Sequence, residues 1–74
     1  MKWYRLAAEQ GNADAQDHLG DMYADGRGVP QDNVLAYMWF NLAHADKRRD
    51  RVASTMTPTQ IAEAQQLSRE WKAK

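Results

Sequence analysis

The motif Trp3-Tyr4-Arg5-Leu6-Ala7 returns 36 residues later as Trp39-Phe40-Asn41-Leu42-Ala43, and four of its five positions keep their chemistry: Trp, aromatic, Leu and Ala. A fixed period of this size is the mark of stacked supersecondary units, each of which buries its apolar face only against a neighbour. It predicts an all-α chain in which antiparallel helix–turn–helix repeats stack as a short α-solenoid of four or five helices. A free-standing enzyme is the poorer reading.

The chain is 74 residues long, enough for one small domain. A core of that size rarely supplies more than ~3–5 kcal/mol without a disulfide, a metal or a partner. Cysteine is absent, which excludes disulfides and thiolate metal sites and fits a reducing compartment. No apolar run approaches the roughly 20 residues of a membrane span. Met1-Lys2-Trp3-Tyr4-Arg5 does not lead into the apolar core of a secretory signal, so the chain as given is expected to be cytoplasmic. Net charge is zero but unevenly spread: residues 1–46 carry three basic and seven acidic side chains, and residues 47–74 carry seven basic and three acidic. The halves are electrostatically complementary, within one chain or between chains. Such a split argues against the continuous basic face of a nucleic-acid binder.

Along the chain, residues 2–10 read as a helix with Trp3, Leu6, Ala7 and nearby Tyr4 on one stripe, closed by Gly11. Asn12 is an N-cap for the next helix, which runs to about Ala24 with Ala15, Leu19, Met22 and Tyr23 at helical spacing. Gly20 within that helix costs about 1 kcal/mol relative to Ala. Close approach of a bulky ring explains it, and Trp39 is the expected ring, near Gly20 and Tyr23. Residues 25–31 break the helix, because Gly26 and Gly28 permit positive φ and Pro30 excludes helix at Val29. Asp32 caps a helix over about 33–45, lined by Val34 or Leu35, Met38, Trp39, Leu42 and Ala43. A short helix from Asp46 to Thr55, capped by Asp46, would turn Val52 and Met56 inward. Thr57-Pro58-Thr59-Gln60 is a capping box with Pro at the first helical position. It starts a helix to about Ala73 whose narrow apolar face is Ile61, Ala64, Leu67, Ser68 and Trp71. The expected organisation is the second helix of a preceding repeat (1–11), a complete repeat (12–45), a basic linker or short helix (46–56) and a C-terminal capping helix (57–74), in which Ile61 and Trp71 cover the helix after Asp32.

The run Asn12-Ala13-Asp14-Ala15-Gln16, with Leu19-Gly20-x-Met22-Tyr23-x-x-Gly26-x-Gly28-Val29 and then Asp32, Ala36, Trp39 and Ala43, resembles the Sel-1-like repeat, an α-helical repeat of the tetratricopeptide type. Trp3 to Gly11 resembles the second half of such a repeat, and Met56 to Trp71 resembles the terminal segment of bacterial members. The resemblance is weakest over residues 46–55. It implies a non-catalytic adaptor or scaffold that binds a protein or peptide, with no cofactor. Some bacterial members are secreted and carry paired cysteines, a branch that this cysteine-free chain does not join.

Candidate sites follow from spacing. Asp14, Asp17, Asp21 and Asp25 recur at steps of three and four and share one helix face, with His18 beside them. That face could receive a basic peptide or the chain's own basic patch, Lys47, Arg48, Arg49 and Arg51; the bland alternative is a solvated surface. His44, at a helix end, fits a favourable interaction with terminal carbonyls better than catalysis. Gly26-Arg27-Gly28 lacks the Lys-Ser/Thr ending of a phosphate loop, and Asp21 and Asp25 lack the alternation of a calcium loop. No catalytic residue, cofactor site or metal site is assigned. Trp3, Trp39 and Trp71 lie on apolar stripes and read as core rather than as platforms for bases. The alternative functions are a nucleic-acid adaptor using residues 47–51 and, behind it, a hydrolase-type enzyme.

The last expectation concerns association. Met1 stands where Tyr37 stands one period later, so the chain opens in mid-repeat, and the side of the first helix around Tyr4 is expected to be left uncovered. That bare face and the complementary halves favour self-association through the N-terminal helix, or a swap of terminal helices; a cut from a longer array is the competing explanation.

Overall fold

The computed structural model describes residues 2–72, and among them the chain forms five helices and no strand. They are α1 (Lys2–Glu9), α2 (Ala13–Asp25), α3 (Asn33–Leu42), α4 (Asp46–Ala53) and α5 (Pro58–Glu70). Met1 and the expected helix end at Ala73 lie outside the described residues.

Local side chains set most helix starts. Asn12 Oδ1 accepts from the Ala15 N–H at 3.0 Å, and Asp32 Oδ1 from the Leu35 N–H at 3.1 Å, each satisfying a donor that the first turn leaves orphaned. At α5 the box is reciprocal: the Gln60 N–H donates to Thr57 Oγ1 at 3.1 Å, and the Thr57 N–H donates to Gln60 Oε1 at 2.9 Å. Gly26 ends α2 with φ 70°, a left-handed residue whose N–H donates to the Met22 carbonyl. The Asp32 N–H then reaches back to the Tyr23 carbonyl at 3.0 Å, folding the loop onto the end of α2.

The fourth helix ends at Ala53 rather than the expected Thr55, and three further boundaries differ from the sequence expectation. The third helix stops at Leu42 rather than 45, because His44 takes φ 59° and the Ala45 N–H donates to the Phe40 carbonyl at 2.9 Å. His44 is thus past the helix and exposed. The cap of α4 is Ala45, which offers no side-chain bond; Asp46 is already the first helical residue. The last helix ends at Glu70, where Trp71 turns extended (φ −71°, ψ 138°) and its indole packs edge-on against Trp39, with ring centroids 6.0 Å apart.

The core lies on both sides of α3. On one side Ala36, Tyr37 and Phe40 pack with Val52, Met56 and Ala64, joined by Ile61 and Tyr23. On the other, Met38 and Trp39 pack with Ala8, Ala15 and Leu19, joined by Leu67 and Trp71. Ala36 and Ala64 are both fully buried, and two methyl side chains let α3 and α5 approach closely. Gln65 Nε2 donates to the Tyr37 hydroxyl at 3.3 Å across the same pair of helices.

Two packing expectations are corrected. The ring against Gly20 is Phe40, not Trp39: a Cβ built on Gly20 would lie within 2.9 Å of Phe40 Cζ and closer still to two other ring carbons. Trp39 turns instead to the cluster that holds Leu19, with Leu67 packed against it, and meets Trp71 edge-on. On α1 the covered side is that of Tyr4, Ala7 and Ala8, whereas Trp3 is 69% and Leu6 51% exposed. Tyr4 stacks on His18 of α2 (centroids 4.3 Å apart, planes within 6°), and Gln16 Nε2 donates to the Ala8 carbonyl at 3.0 Å. Both contacts hold α1 by the side expected to be open, and among the described residues the Trp3–Leu6 side is the exposed one.

Candidate functional site

A groove of about 430 Å³ opens between α1, α3 and the end of α5. Its floor is apolar and aromatic: Leu19 and Tyr23 from α2, Leu35, Met38 and Trp39 from α3, and Trp71. Arg5 and Glu9 stand on the α1 wall, joined by an i,i+4 ion pair at 3.5 Å, and Glu70 and Lys72 stand where α5 ends. Packing dictates this shape. Tyr4 and Ala8 dock α1 on α2, which turns Arg5 and Glu9 to the rim, and the extended backbone at Trp71 lets its ring join the floor of the groove. Concave sites with an apolar floor and a few charged groups at the edge are suited to anchoring a bulky side chain of a ligand while fixing its orientation. Among the described residues no Ser, Thr, Cys or His lines the groove.

The acidic face of α2 is placed elsewhere. Arg48 of α4 donates from one nitrogen, Nη1, to Asp17 Oδ2 at 2.9 Å and to Asp21 Oδ2 at 2.8 Å, tying α4 back to α2. Asp25 pairs with Arg27 at 3.1 Å, Asp14 is exposed, and His18 is taken up by the stack on Tyr4. Asp17 Oδ1 is buried and accepts no hydrogen bond among the described residues. Of the basic patch, Arg49 holds Asp46 at 3.2 Å, Asp50 at 3.3 Å and the Asn41 side chain at 3.1 Å, while Lys47 and Arg51 are exposed. The stripe and the patch expected from sequence therefore meet each other at Arg48.

The Arg48 bridge is half exposed, so its contribution is that of a surface network, about 1 kcal/mol or less. Arg48→Ala is expected to lower stability by about that amount at low ionic strength. The difference should shrink in 1 M salt, where screening reaches about 3 Å. Thermal melts of both chains at the two salt concentrations check it, and a deficit independent of salt would assign the loss to packing of the arginine stem instead.

The groove is not legible in the sequence, because its walls come from residues as far apart as Arg5 and Lys72. The one available signal was Trp71, a large apolar residue at the end of a mostly polar helix.

The structural signature Leu19, Gly20, Met22, Tyr23, Gly26, Gly28, Val29, Asp32 and Ala36 falls on α2, its closing loop and α3, around an intact helix pair. A model of the Sel1 repeat family matches residues 1–12 and 13–43. The chain belongs to the Sel1 repeat family. Its matched segments are a half repeat, containing α1, followed by a complete Sel1 repeat, α2 and α3. No match was found among curated proteins or among solved structures. Sel1 repeats generally mediate protein–protein interaction and form a non-catalytic, all-α module. Among the described residues no helix is long and apolar enough to cross a membrane.

Proposed function

We propose that this Sel1 repeat chain is a non-catalytic protein-interaction module that anchors a peptide segment in the groove between α1, α3 and the end of α5, with α5 as its C-terminal cap. The observation that carries the reading is the groove's construction: a floor containing Met38, Trp39 and Trp71 beneath charges of both signs, Arg5 and Glu9 facing Glu70 and Lys72. Such a site favours a bulky apolar residue flanked by charged ones, because the floor supplies hydrophobic burial and the rims select the register. The acidic face of α2 offers less, since Asp17, Asp21 and Asp25 are already paired. A nucleic-acid role for residues 47–51 is weakened in the same way, with Arg48 and Arg49 engaged by carboxylates.

Selection from a random displayed peptide library tests this. Enriched peptides are expected to share an aromatic or Leu anchor next to charge, to bind with a micromolar Kd, and to lose at least about ten-fold in affinity on Trp71→Ala. Circular dichroism of that variant establishes that the fold survives. Failure to enrich any sequence, or binding indifferent to Trp71, would count against the groove.

A further inference from the structure

We infer that a second copy of this chain fits the groove, with the α1 ridge of each copy laid across the other's groove about a two-fold axis. The inference rests on the groove reading above and adds the identity of an occupant. Among the described residues the exposed large hydrophobics are Trp3 and Leu6, three positions apart on α1 and so neighbours on one face. The groove supplies what that face lacks, a partly open indole at Trp71 above the buried side chains of Trp39 and Met38.

Placement on the fold makes the match reciprocal. Tyr4, Ala7 and Ala8 point α1 into its own core, so Arg5 and Leu6 lie along the outward side, Trp3 on its flank, and the mostly covered Glu9 in the groove wall. The groove begins at the Arg5–Glu9 wall of that same helix. Turning one copy over onto another therefore lowers each α1 between the partner's α1 and the end of its α5. An interface of this kind uses one surface on both copies and closes at two. Charge complements this placement: the incoming ridge carries the exposed Arg5, and the far rim offers the exposed Glu70. A helix of eight residues covers about 12 Å, so the contact sits at the small end of specific interfaces and the dimer should be weak.

Sedimentation equilibrium of the full chain between roughly 5 and 500 µM should show a monomer–dimer equilibrium with a Kd on the order of tens of micromolar. Trp3→Glu should raise that Kd at least ten-fold with an unchanged far-ultraviolet spectrum, because Trp3 is exposed in the monomer. Arg5→Glu and Glu70→Arg should each weaken the dimer several-fold, and mixing the two variant chains should recover most of the loss, because mixing restores opposite charges only between copies. Rescue of that kind is not expected of two changes that merely disturb the fold. A chain monomeric throughout the range overturns the inference. So does a dimer that responds to Trp3→Glu but ignores Glu70→Arg, which would place α1 against α1 with the groove empty. Peptide selection on the Trp3→Glu chain separates the two readings: if peptides bind there while the wild-type chain stays monomeric, the groove reading stands and self-docking falls.

Discussion

Phe40→Ala is expected to remove about 3–5 kcal/mol of stability, the usual cost of emptying a ring from a closed core. That loss is as large as the whole stability expected of a core this small, so the variant should be mostly unfolded at room temperature. Phe40 is 1% exposed and packs among Ala36, Val52, Met56 and Ala64, so its ring fills the junction of α2, α3, α4 and α5. Each lost kcal/mol corresponds to about 4–8 °C in Tm for a domain of this length, which puts the effect far outside the error of a melt. Phe40→Leu should keep the fold, since most of the volume and all of the apolar character remain. A Phe40→Ala chain melting within a few degrees of wild type would show that α3 does not organise this core.

Gly20→Ala is the second large effect, and its sign is the informative part. In an exposed helix interior this change would stabilise by about 1 kcal/mol, because Ala is the better helix former. Here the added methyl would fall into the Phe40 ring, whose Cζ lies 2.9 Å from it, and a ring with 1% exposure has nowhere to retreat. Overpacking of that kind typically costs 1–3 kcal/mol, so Gly20→Ala is expected to destabilise by about that range. Urea unfolding measures it. Combining Gly20→Ala with Phe40→Leu should cost less than the two changes added separately, because the smaller side chain opens the space the methyl needs. A Gly20→Ala chain more stable than wild type would mean that the ring is not held against α2.

These two residues also mark where the sequence was legible and where it was not. Helix starts could be read because their causes are local: Asn12, Asp32 and Thr57 each bond to a backbone N–H three residues on. The close of α2 at Gly26 is equally local. That a ring must lie against Gly20 also followed from the residue alone. Which ring did not, because Trp39 and Phe40 are adjacent, about 100° apart around the helix, and periodicity does not say which neighbour each face meets. The end of α3 was misplaced because its stop is a left-handed His44, with no Gly or Pro to announce it. The open side of α1 is hidden in the sequence for a related reason. Trp3 and Trp39 are equivalent in sequence, but Trp39 is buried in the cluster that holds Leu19 and meets Trp71 edge-on, while Trp3 is exposed. The acidic stripe of α2 was visible as a stripe, yet its pairing with Arg48 depends on how α4 lies across α2. The groove needed the packing angle of α5, a long-range property that no window of sequence carries.

The order in which the helices touch bears on how the chain finds this arrangement. α1 packs on α2, α2 on α3 and α3 on α4, so most contacts join elements adjacent along the chain. Closure of such short loops costs little entropy, and topologies of this type reach the native state quickly. The exception is α5, which returns past α4 to pack on α3 and brings Gln65 to Tyr37. That return is the only distant encounter among these main contacts, and the Thr57–Gln60 box, whose bonds are local, is expected to start α5 before it docks on α3.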